Sequence, residues 1–221
     1  MDTQPLFDAI QSGDQETLRT LLAADASLAS ARNQQGLSAL MLAVYMRRTP
    51  LAELIQAAKP ELDVFEAAAL GKSERLAALI KKDRSLANAR SVDGFTPLHL
   101  ACFFGQESAA HLLLENGAAP DAVANNAMKV MPLHSAAAGH NRAIVRDLLE
   151  HGAPPNAKQE AGWTALHSAA DSGDQEMLDL LLRHGADPAA ENDKGVTPLQ
   201  LAKEKGHAEI ARRLGAAPAG R

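Results

Sequence analysis

The sequence predicts an all-α solenoid of about seven helix-turn-helix units with hairpin fingers, and three observations predict it. A four-residue motif recurs along the chain. In most copies a glycine stands eight residues after the second motif position, and an apolar residue stands sixteen residues after it. The second positions of the last four copies follow one another at a nearly constant step in the low thirties. A fixed period of this length indicates one supersecondary unit stacked on copies of itself.

Seven copies of this unit fit the chain. The four clear motifs are Thr96-Pro97-Leu98-His99, Met131-Pro132-Leu133-His134, Thr164-Ala165-Leu166-His167 and Thr197-Pro198-Leu199-Gln200. Three weaker copies precede them, with Pro5, Ala39 and Asp63 at the proline position and Phe7, Met41 and Phe65 at the histidine position. The step is in the low to middle thirties throughout, except between Ala39 and Asp63, where it falls to the middle twenties. This short connection lies around residues 59–62, where we expect the row of fingers to be interrupted.

Each unit reads as two short helices. Thr96 can cap a helix N-terminus, and Pro97 at the first helical position gives up no needed donor. Gly105 permits the left-handed turn that ends this helix. Arg47 and His140 occupy the equivalent glycine position in two other units, and at His140 we expect a left-handed backbone. A second, leucine-rich helix follows, and no unit can bury both of its faces alone.

These residues resemble the ankyrin repeat, whose signature is Thr-Pro-Leu-His-x-Ala followed by two helices and a hairpin loop. The resemblance is to stand-alone repeat domains of the bacterial type. It implies a curved stack with a concave, protein-binding groove, and it implies no catalytic residue. It also implies structural roles for the motif residues Thr96, Pro97, His99, His134, Thr164, His167, Thr197 and Pro198. We expect units near 3–34, 35–60, 61–92, 93–127, 128–160, 161–193 and 194–215, in one domain, and a flexible tail at 216–221.

One internal similarity has a longer range. The segment 25–32 is matched by the segment 83–90. The distance between the two segments is the sum of two unit steps, one of them the short step. This spacing indicates duplication of a two-unit block.

Composition narrows the classes of partner. The net charge is −5 over 221 residues and no basic stripe is present, which argues against nucleic acid or an anionic membrane as the main partner. No apolar run is long enough to span a bilayer, and residues 1–10 lack a signal-peptide pattern. The single cysteine, Cys102, gives no disulfide framework and suits the cytoplasm. We therefore expect a cytoplasmic monomer that binds a protein partner and no small-molecule substrate.

Aromatic side chains are the main functional clue. The chain has seven, and all except Phe7 and Phe65 fall at positions that the ankyrin family leaves variable. Exposed aromatic patches usually mark a partner site. The predicted partner-binding residues are Tyr45, Met46, Leu70, Phe95, Phe103, Phe104, Met128, Val130 and Trp163. Two alternatives stay open: the aromatic rings fold down onto neighbouring units as core, or the same patch closes a homodimer.

Histidines and the cysteine favour structural roles. His99, His134 and His167 belong to the motif, where we expect local hydrogen bonds that tie one unit to the next. His151 and His184 precede glycines at the expected helix C-termini, which suits the helix dipole. Stacked units place equivalent residues about 10 Å apart, whereas zinc ligands converge within about 2.1 Å of the ion. We expect Cys102 to be an inert core thiol, and we predict no metal, no cofactor and no catalytic residue.

Overall fold

The computed structural model describes residues 2–59 and 61–216, and fourteen α-helices lie within these ranges. They are α1 (Gln4–Ser12), α2 (Gln15–Ala24), α3 (Ala39–Tyr45), α4 (Thr49–Ala58), α5 (Val64–Ala69), α6 (Ser73–Lys82), α7 (Pro97–Phe103), α8 (Glu107–Glu115), α9 (Pro132–Ala138), α10 (Arg142–Glu150), α11 (Ala165–Ser172), α12 (Gln175–Arg183), α13 (Pro198–Glu204) and α14 (Ala208–Ala216). Ala216 of the predicted tail is the last residue of α14, and the rest of that tail lies outside the described residues.

In sequence order the helices fall into seven successive pairs, from α1 with α2 to α13 with α14, and the predicted all-α repeat fold is confirmed. Three 3-10 helices lie in the connections: η1 (Ala26–Ser30), η2 (Arg84–Asn88) and η3 (Glu160–Gly162). Among the described residues there is no β-strand, and the one β-bridge joins Arg32 and Ser38 at the base of a finger.

The chain divides into two compact units, and the division falls between Ala67 and Ala68, inside α5. In the first unit α1 packs against α3 and α2 against α4. In the second unit the first helices of successive pairs pack in a row from α7 to α13, and the second helices do so from α6 to α14. A single array over residues 3–215 stays a prediction.

Fully buried leucines of both helix rows fill the core of the second unit. These are Leu98, Leu113, Leu133, Leu148, Leu166 and Leu181, each no more than 1% exposed. They recur with the period of the motif, so each of the three pairs from α7 to α12 contributes the same two core positions. Burial of such side chains, each stabilising by about 1.5–3 kcal/mol, holds one pair against the next.

A left-handed backbone recurs where each first helix ends. Glycine occupies this position in five pairs: Gly13, Gly71, Gly105, Gly173 and Gly206. Arg47 and His140 occupy it in the other two, with φ of 54° and 56°, and at His140 this was predicted from the spacing. A second such position lies two residues before the caps of α3, α7, α9, α11 and α13, and before α9 Lys129 adopts it without glycine, with φ of 48°. The turn geometry of the repeat is therefore kept even where its preferred residue is missing.

The short connection is confirmed, because α4 ends at Ala58 and α5 begins at Val64. The detailed alignment of this repeat was wrong by one residue. Asp63 caps α5: its Oδ1 accepts the backbone N–H groups of Phe65 and Glu66, each at 2.9 Å. Asp63 thus holds the threonine position rather than the proline position. Glu66, rather than Phe65, holds the histidine position.

This shift corrects the prediction that Phe65 is core. Phe65 is half-buried, whereas Glu66 is completely buried and Phe7, in the first repeat, is buried as predicted. Asp and Glu three residues apart can form a reciprocal cap, which serves the helix as well as Thr and His do. The sequence pattern did not reveal this cap because the repeat was aligned on the glycine eight residues downstream. That alignment was off by one residue, since α5 is one residue shorter than α7.

The duplicated segments adopt the same local structure. Asp25 and Asp83 each cap a 3-10 helix and accept the backbone N–H of the serine two residues later, both at 2.9 Å. The same two carboxylates also accept the hydroxyl of that serine. The similarity between the segments 25–32 and 83–90 therefore reflects two copies of one capped turn.

Candidate functional site

The motif residues fix the helix starts and join neighbouring repeats. In α7, the backbone N–H of Thr96 donates to Nδ1 of His99 at 3.3 Å, and the Thr96 hydroxyl lies 2.8 Å from the same nitrogen. Nε2 of His99 lies 3.1 Å from the carbonyl oxygen of Val130, which belongs to the following finger. The imidazole therefore caps its own helix and holds the next finger, as expected from the motif.

The same two-sided contact recurs in the next two repeats. His134 accepts the Met131 N–H at 3.0 Å and reaches the Ala157 carbonyl at 2.9 Å. His167 accepts the Thr164 N–H at 3.2 Å and reaches the Val196 carbonyl at 3.0 Å. In the last repeat the amide oxygen of Gln200 accepts the Thr197 N–H at 2.7 Å.

These contacts require one protonation state. Nδ1 faces a backbone N–H and must accept, and Nε2 faces a carbonyl and must donate, so only the neutral Nε2–H tautomer satisfies both. Burial lowers the pKa of His99 to about 4 and also lowers the pKa of His134 and His167. The three imidazoles are thus neutral structural groups at neutral pH.

Cys102 lies in the core of α7 and is completely buried. Burial raises the pKa of its thiol far above the ordinary value, with a smaller effect of the Asp147 charge. A thiol that is neither ionised nor accessible is a poor nucleophile.

Within residues 2–59 and 61–216, no three His, Cys, Asp or Glu side chains are placed to hold a metal ion. No helix in these ranges has the length and apolar character needed to cross a bilayer.

None of the nine predicted binding residues is buried. Phe103 is 43% exposed, Met128 48% and Met46 38%, and the others are half-buried: Tyr45, Leu70, Phe95, Phe104, Val130 and Trp163. Tyr45 and Met46 belong to the first compact unit and the other seven to the second. We call these seven residues of the second unit the aromatic surface.

Local packing orients the rings of the aromatic surface. Phe103 and Phe104 meet edge to face, with ring centroids 5.1 Å apart. Phe95 lies against His99 at 5.8 Å, and Trp163 lies against His167 at 5.6 Å. The capping imidazoles therefore support the aromatic rings that precede them by four residues, while part of each ring stays in contact with solvent.

Backbone hydrogen bonds join neighbouring fingers beside this surface. The Asn125 N–H donates to the Gly94 carbonyl at 2.9 Å, and the Glu160 N–H donates to the Met128 carbonyl at 3.0 Å. A Cβ atom added at Gly94 would lie 2.4 Å from the Asn125 carbonyl oxygen, so the close approach requires glycine. Met128 thus lies in an irregular finger that is tied to its neighbour, while its side chain remains exposed.

Sequence reasoning missed two exposed residues of the fingers. Val92 is 61% exposed and Val123 is 40% exposed. Val92 lies in the turn of its finger, and Val123 lies two residues after the turn residue Asp121. Their exposure depends on how the fingers stack, which the repeat period alone does not give.

Comparison with known proteins identifies the repeat. A model of the ankyrin repeat matches residues 93–125, and a model of three ankyrin-repeat copies matches residues 133–217. Similar curated proteins include a putative ankyrin repeat protein, L371, of Acanthamoeba polyphaga mimivirus, 29% identical over 73% of this chain and 18% of the relative. The E3 ubiquitin-protein ligase XB3 of Oryza sativa subsp. japonica is 39% identical over 42% of this chain and 20% of the relative.

A third relative, the human BCL-6 corepressor-like protein 1, is 33% identical over 45% of this chain and 6% of its own length. The chain spans a fifth or less of these three curated relatives. The two matched ranges together cover more than half of the chain and contain His99, His134 and His167 and the helices α7, α8 and α10 to α14. The chain therefore belongs to the ankyrin-repeat family and is a protein–protein interaction module.

Proposed function

We propose that this chain is a cytoplasmic adaptor or regulator that binds a partner protein through the aromatic surface and the neighbouring fingers. The ankyrin repeat is a non-catalytic interaction fold, and the motif residues of this chain are occupied by structural hydrogen bonds. One observation carries the proposal. Of the five large apolar side chains that are exposed in the described residues, four lie in the segment from Val92 to Met128.

This concentration of exposed apolar side chains favours a binding role for them over a purely structural role. Side chains that served only the core would be shielded from water, whereas Phe103, Val92 and Met128 are exposed to it. Backbone hydrogen bonds between neighbouring fingers hold this segment in place. Aromatic residues and methionine are enriched at the centres of protein interfaces. A preorganised apolar surface also lowers the ordering cost of association.

The test measures both the thermal stability and the capture of partner proteins for each variant. Phe103→Ala and Trp163→Ala should leave the thermal unfolding temperature nearly unchanged and should each weaken capture of a partner by about 2 kcal/mol or more, as interface hot spots do. Core side chains would instead lower the stability by about 3–5 kcal/mol on truncation. Glu204→Ala is the matched control, because Glu204 holds in α13 the helix position that Phe103 holds in α7.

Quantitative mass spectrometry of proteins captured from the host lysate gives the readout, with light scattering on the purified chain. A monomer whose capture is lost only in the Phe103 and Trp163 variants supports the proposal. Capture that survives both substitutions contradicts it. A dimer that Phe103→Ala dissociates would instead favour the second candidate, self-assembly through the same surface. The fluorescence emission of Trp163, the single tryptophan, is an independent measurement of its burial, because a blue shift would mean that its ring lies in the core.

A further inference from the structure

Two histidines of the second helices lie in an environment opposite to that of the motif histidines. His111 of α8 and His151, which follows α10, have ring centroids 6.4 Å apart. Asp147 of α10 lies between them: its Oδ2 is 3.1 Å from Nδ1 of His111, and its Oδ1 is 3.1 Å from Nδ1 of His151. On the other side of His151, Nε2 lies 3.2 Å from Oε1 of Glu115 in α8.

The contacts of His151 select its protonation state. Nδ1 faces the Asp147 carbonyl oxygen at 2.8 Å as well as the Asp147 carboxylate, and Nε2 faces the Glu115 carboxylate. All of these groups accept hydrogen bonds, and only the imidazolium form carries a proton on both ring nitrogens. His151 is therefore fully satisfied only when it is charged. Neutral His151 leaves one nitrogen lone pair facing an acceptor.

The contacts also cross from one repeat to the next. His111 to Asp147 and Glu115 to His151 each join α8 to α10, and α8 packs against α10. We infer that His111, Glu115, Asp147 and His151 form a pH-sensitive clamp that holds the fourth helix pair (α7 and α8) more tightly to the fifth (α9 and α10) as His151 becomes protonated.

Charged residues of both signs surround the His151 ring, and the two charged groups that contact it are the Glu115 and Asp147 carboxylates. Of the helices that pack against this pair, α6 carries Glu74, Arg75, Lys81 and Lys82, and α12 carries Glu176, Asp179 and Arg183. The first helices α7 and α9 carry His99 and His134, which are neutral. Within the pair, α8 also carries Glu107, and α10 also carries Arg142, Arg146 and Glu150. These charges are of mixed sign, whereas both groups in contact with the His151 ring are anionic.

The direction of the pH effect follows. The Asp147 carbonyl, followed by the Glu115 and Asp147 carboxylates, raises the pKa of His151 above its ordinary value. A histidine whose pKa is raised in the folded state adds stability that is fully present below its unfolded pKa and is lost as pH rises through the folded pKa. The clamp is therefore fully formed below the ordinary histidine pKa of about 6.5 and weakens as pH rises above it.

Hydrogen exchange of the full chain, followed by mass spectrometry and corrected for the intrinsic exchange rate, tests the clamp at pH 5.5 and pH 7.5. His151→Gln should lower the protection of α8 and α10 about threefold or more at pH 5.5 and less at pH 7.5, because only the protonated His151 ring can donate hydrogen bonds from both nitrogens to its partners. His184→Gln is the matched control, because His184 ends α12 as His151 ends α10. His184→Gln should leave the exchange protection of α8 and α10 unchanged.

Salt separates the ion pairs from the backbone hydrogen bond. At about 1 M salt the Debye length is about 3 Å, so the difference between wild type and His151→Gln at pH 5.5 should shrink. Equal loss of protection at both pH values, no loss in His151→Gln, or a difference that salt leaves unchanged would overturn the clamp.

Discussion

The two groups of histidines show how neighbouring groups decide the role of one residue type. Nδ1 of His99 faces a donor and Nε2 an acceptor, so the ring must be neutral, whereas both nitrogens of His151 face acceptors. As pH falls, protonation of the motif histidines therefore lowers the stability of the fold, whereas protonation of His151 raises it. Sequence position distinguished the motif histidines from the helix-terminal ones, but it could not give the partners of His151, since Asp147 and Glu115 lie on two different helices.

Acid should destabilise the protein through the motif histidines. The pKa of His99 is lowered to about 4, so its contribution to stability is present above the unfolded value near 6.5 and is lost as pH falls from 6.5 toward 4. Between pH 7 and pH 5 the loss from His99 amounts to about 2 kcal/mol. Urea unfolding at the two pH values measures it.

His99→Gln is the informative variant for this loss, because Gln200 already caps α13 in the same way. The variant should retain the helix cap but show a smaller difference in stability between pH 7 and pH 5. An undiminished difference would mean that His99 is not the group whose protonation destabilises the fold.

His140 makes a second prediction at this scale. Its φ of 56° places a side chain with a Cβ in the left-handed region, and its imidazole is mostly exposed, 3.8 Å from Asp174. His140→Gly should be neutral or should stabilise by up to about 1 kcal/mol, measured by chemical denaturation. Gly105→Ala is the control with the opposite sign, because its Cβ would lie 2.7 Å from Oδ1 of Asn141. A clear loss of stability in His140→Gly would show that the imidazole makes a needed contact.

Among the elements, the short connection between α4 and α5 departs most from the repeat. Where a full finger would stand, Lys59 and Glu66 form a buried ion pair with N–O distances of 2.5 and 2.7 Å. The Ser38 hydroxyl donates to the same carboxylate at 2.7 Å. The motif histidines reach forward to the next finger, whereas Glu66 reaches back to the residue that caps α3.

Breaking this pair should be costly. Lys59→Met leaves the Glu66 carboxylate buried without its cation, and removal of one partner of a buried pair costs about 3–5 kcal/mol. The double variant Lys59→Met/Glu66→Gln removes both charges and should lose clearly less than the sum of the two single losses. Denaturation of all four proteins completes the cycle. Additive losses would mean that the two side chains stabilise the connection independently.

The elements were predictable to different degrees. The helix starts of the four clear motifs were predictable because the cap residue and its partner three residues later lie within one motif, so the local sequence alone specifies them. Asp63 was misplaced by one residue because the repeat was aligned on Gly71, and α5 is one residue shorter than α7. The aromatic positions were found from their spacing, but the exposure of Val92 and Val123 depends on the packing of fingers against each other.

For the whole molecule, repetition makes stability depend on contacts between neighbouring pairs. In the second unit α13 and α14 pack on α11 and α12, and their buried side chains include Leu201, Ile210 and Leu214. Loss of this pair would therefore remove the contacts that it makes with α11 and α12 and leave the contacts between the earlier pairs in place.

Removal of the last repeat, from Asn192 onward, should therefore leave a folded but weakened protein. Each remaining pair keeps its neighbour, so the helical circular dichroism should fall roughly in proportion to the residues lost, and the unfolding temperature should fall with it. Removal of α13 and α14 uncovers the faces of α11 and α12 against which they pack, and this exposure should promote association, seen by light scattering. Complete loss of helical signal in the truncated chain would contradict nearest-neighbour stability, because the repeats would then fold only as one cooperative whole.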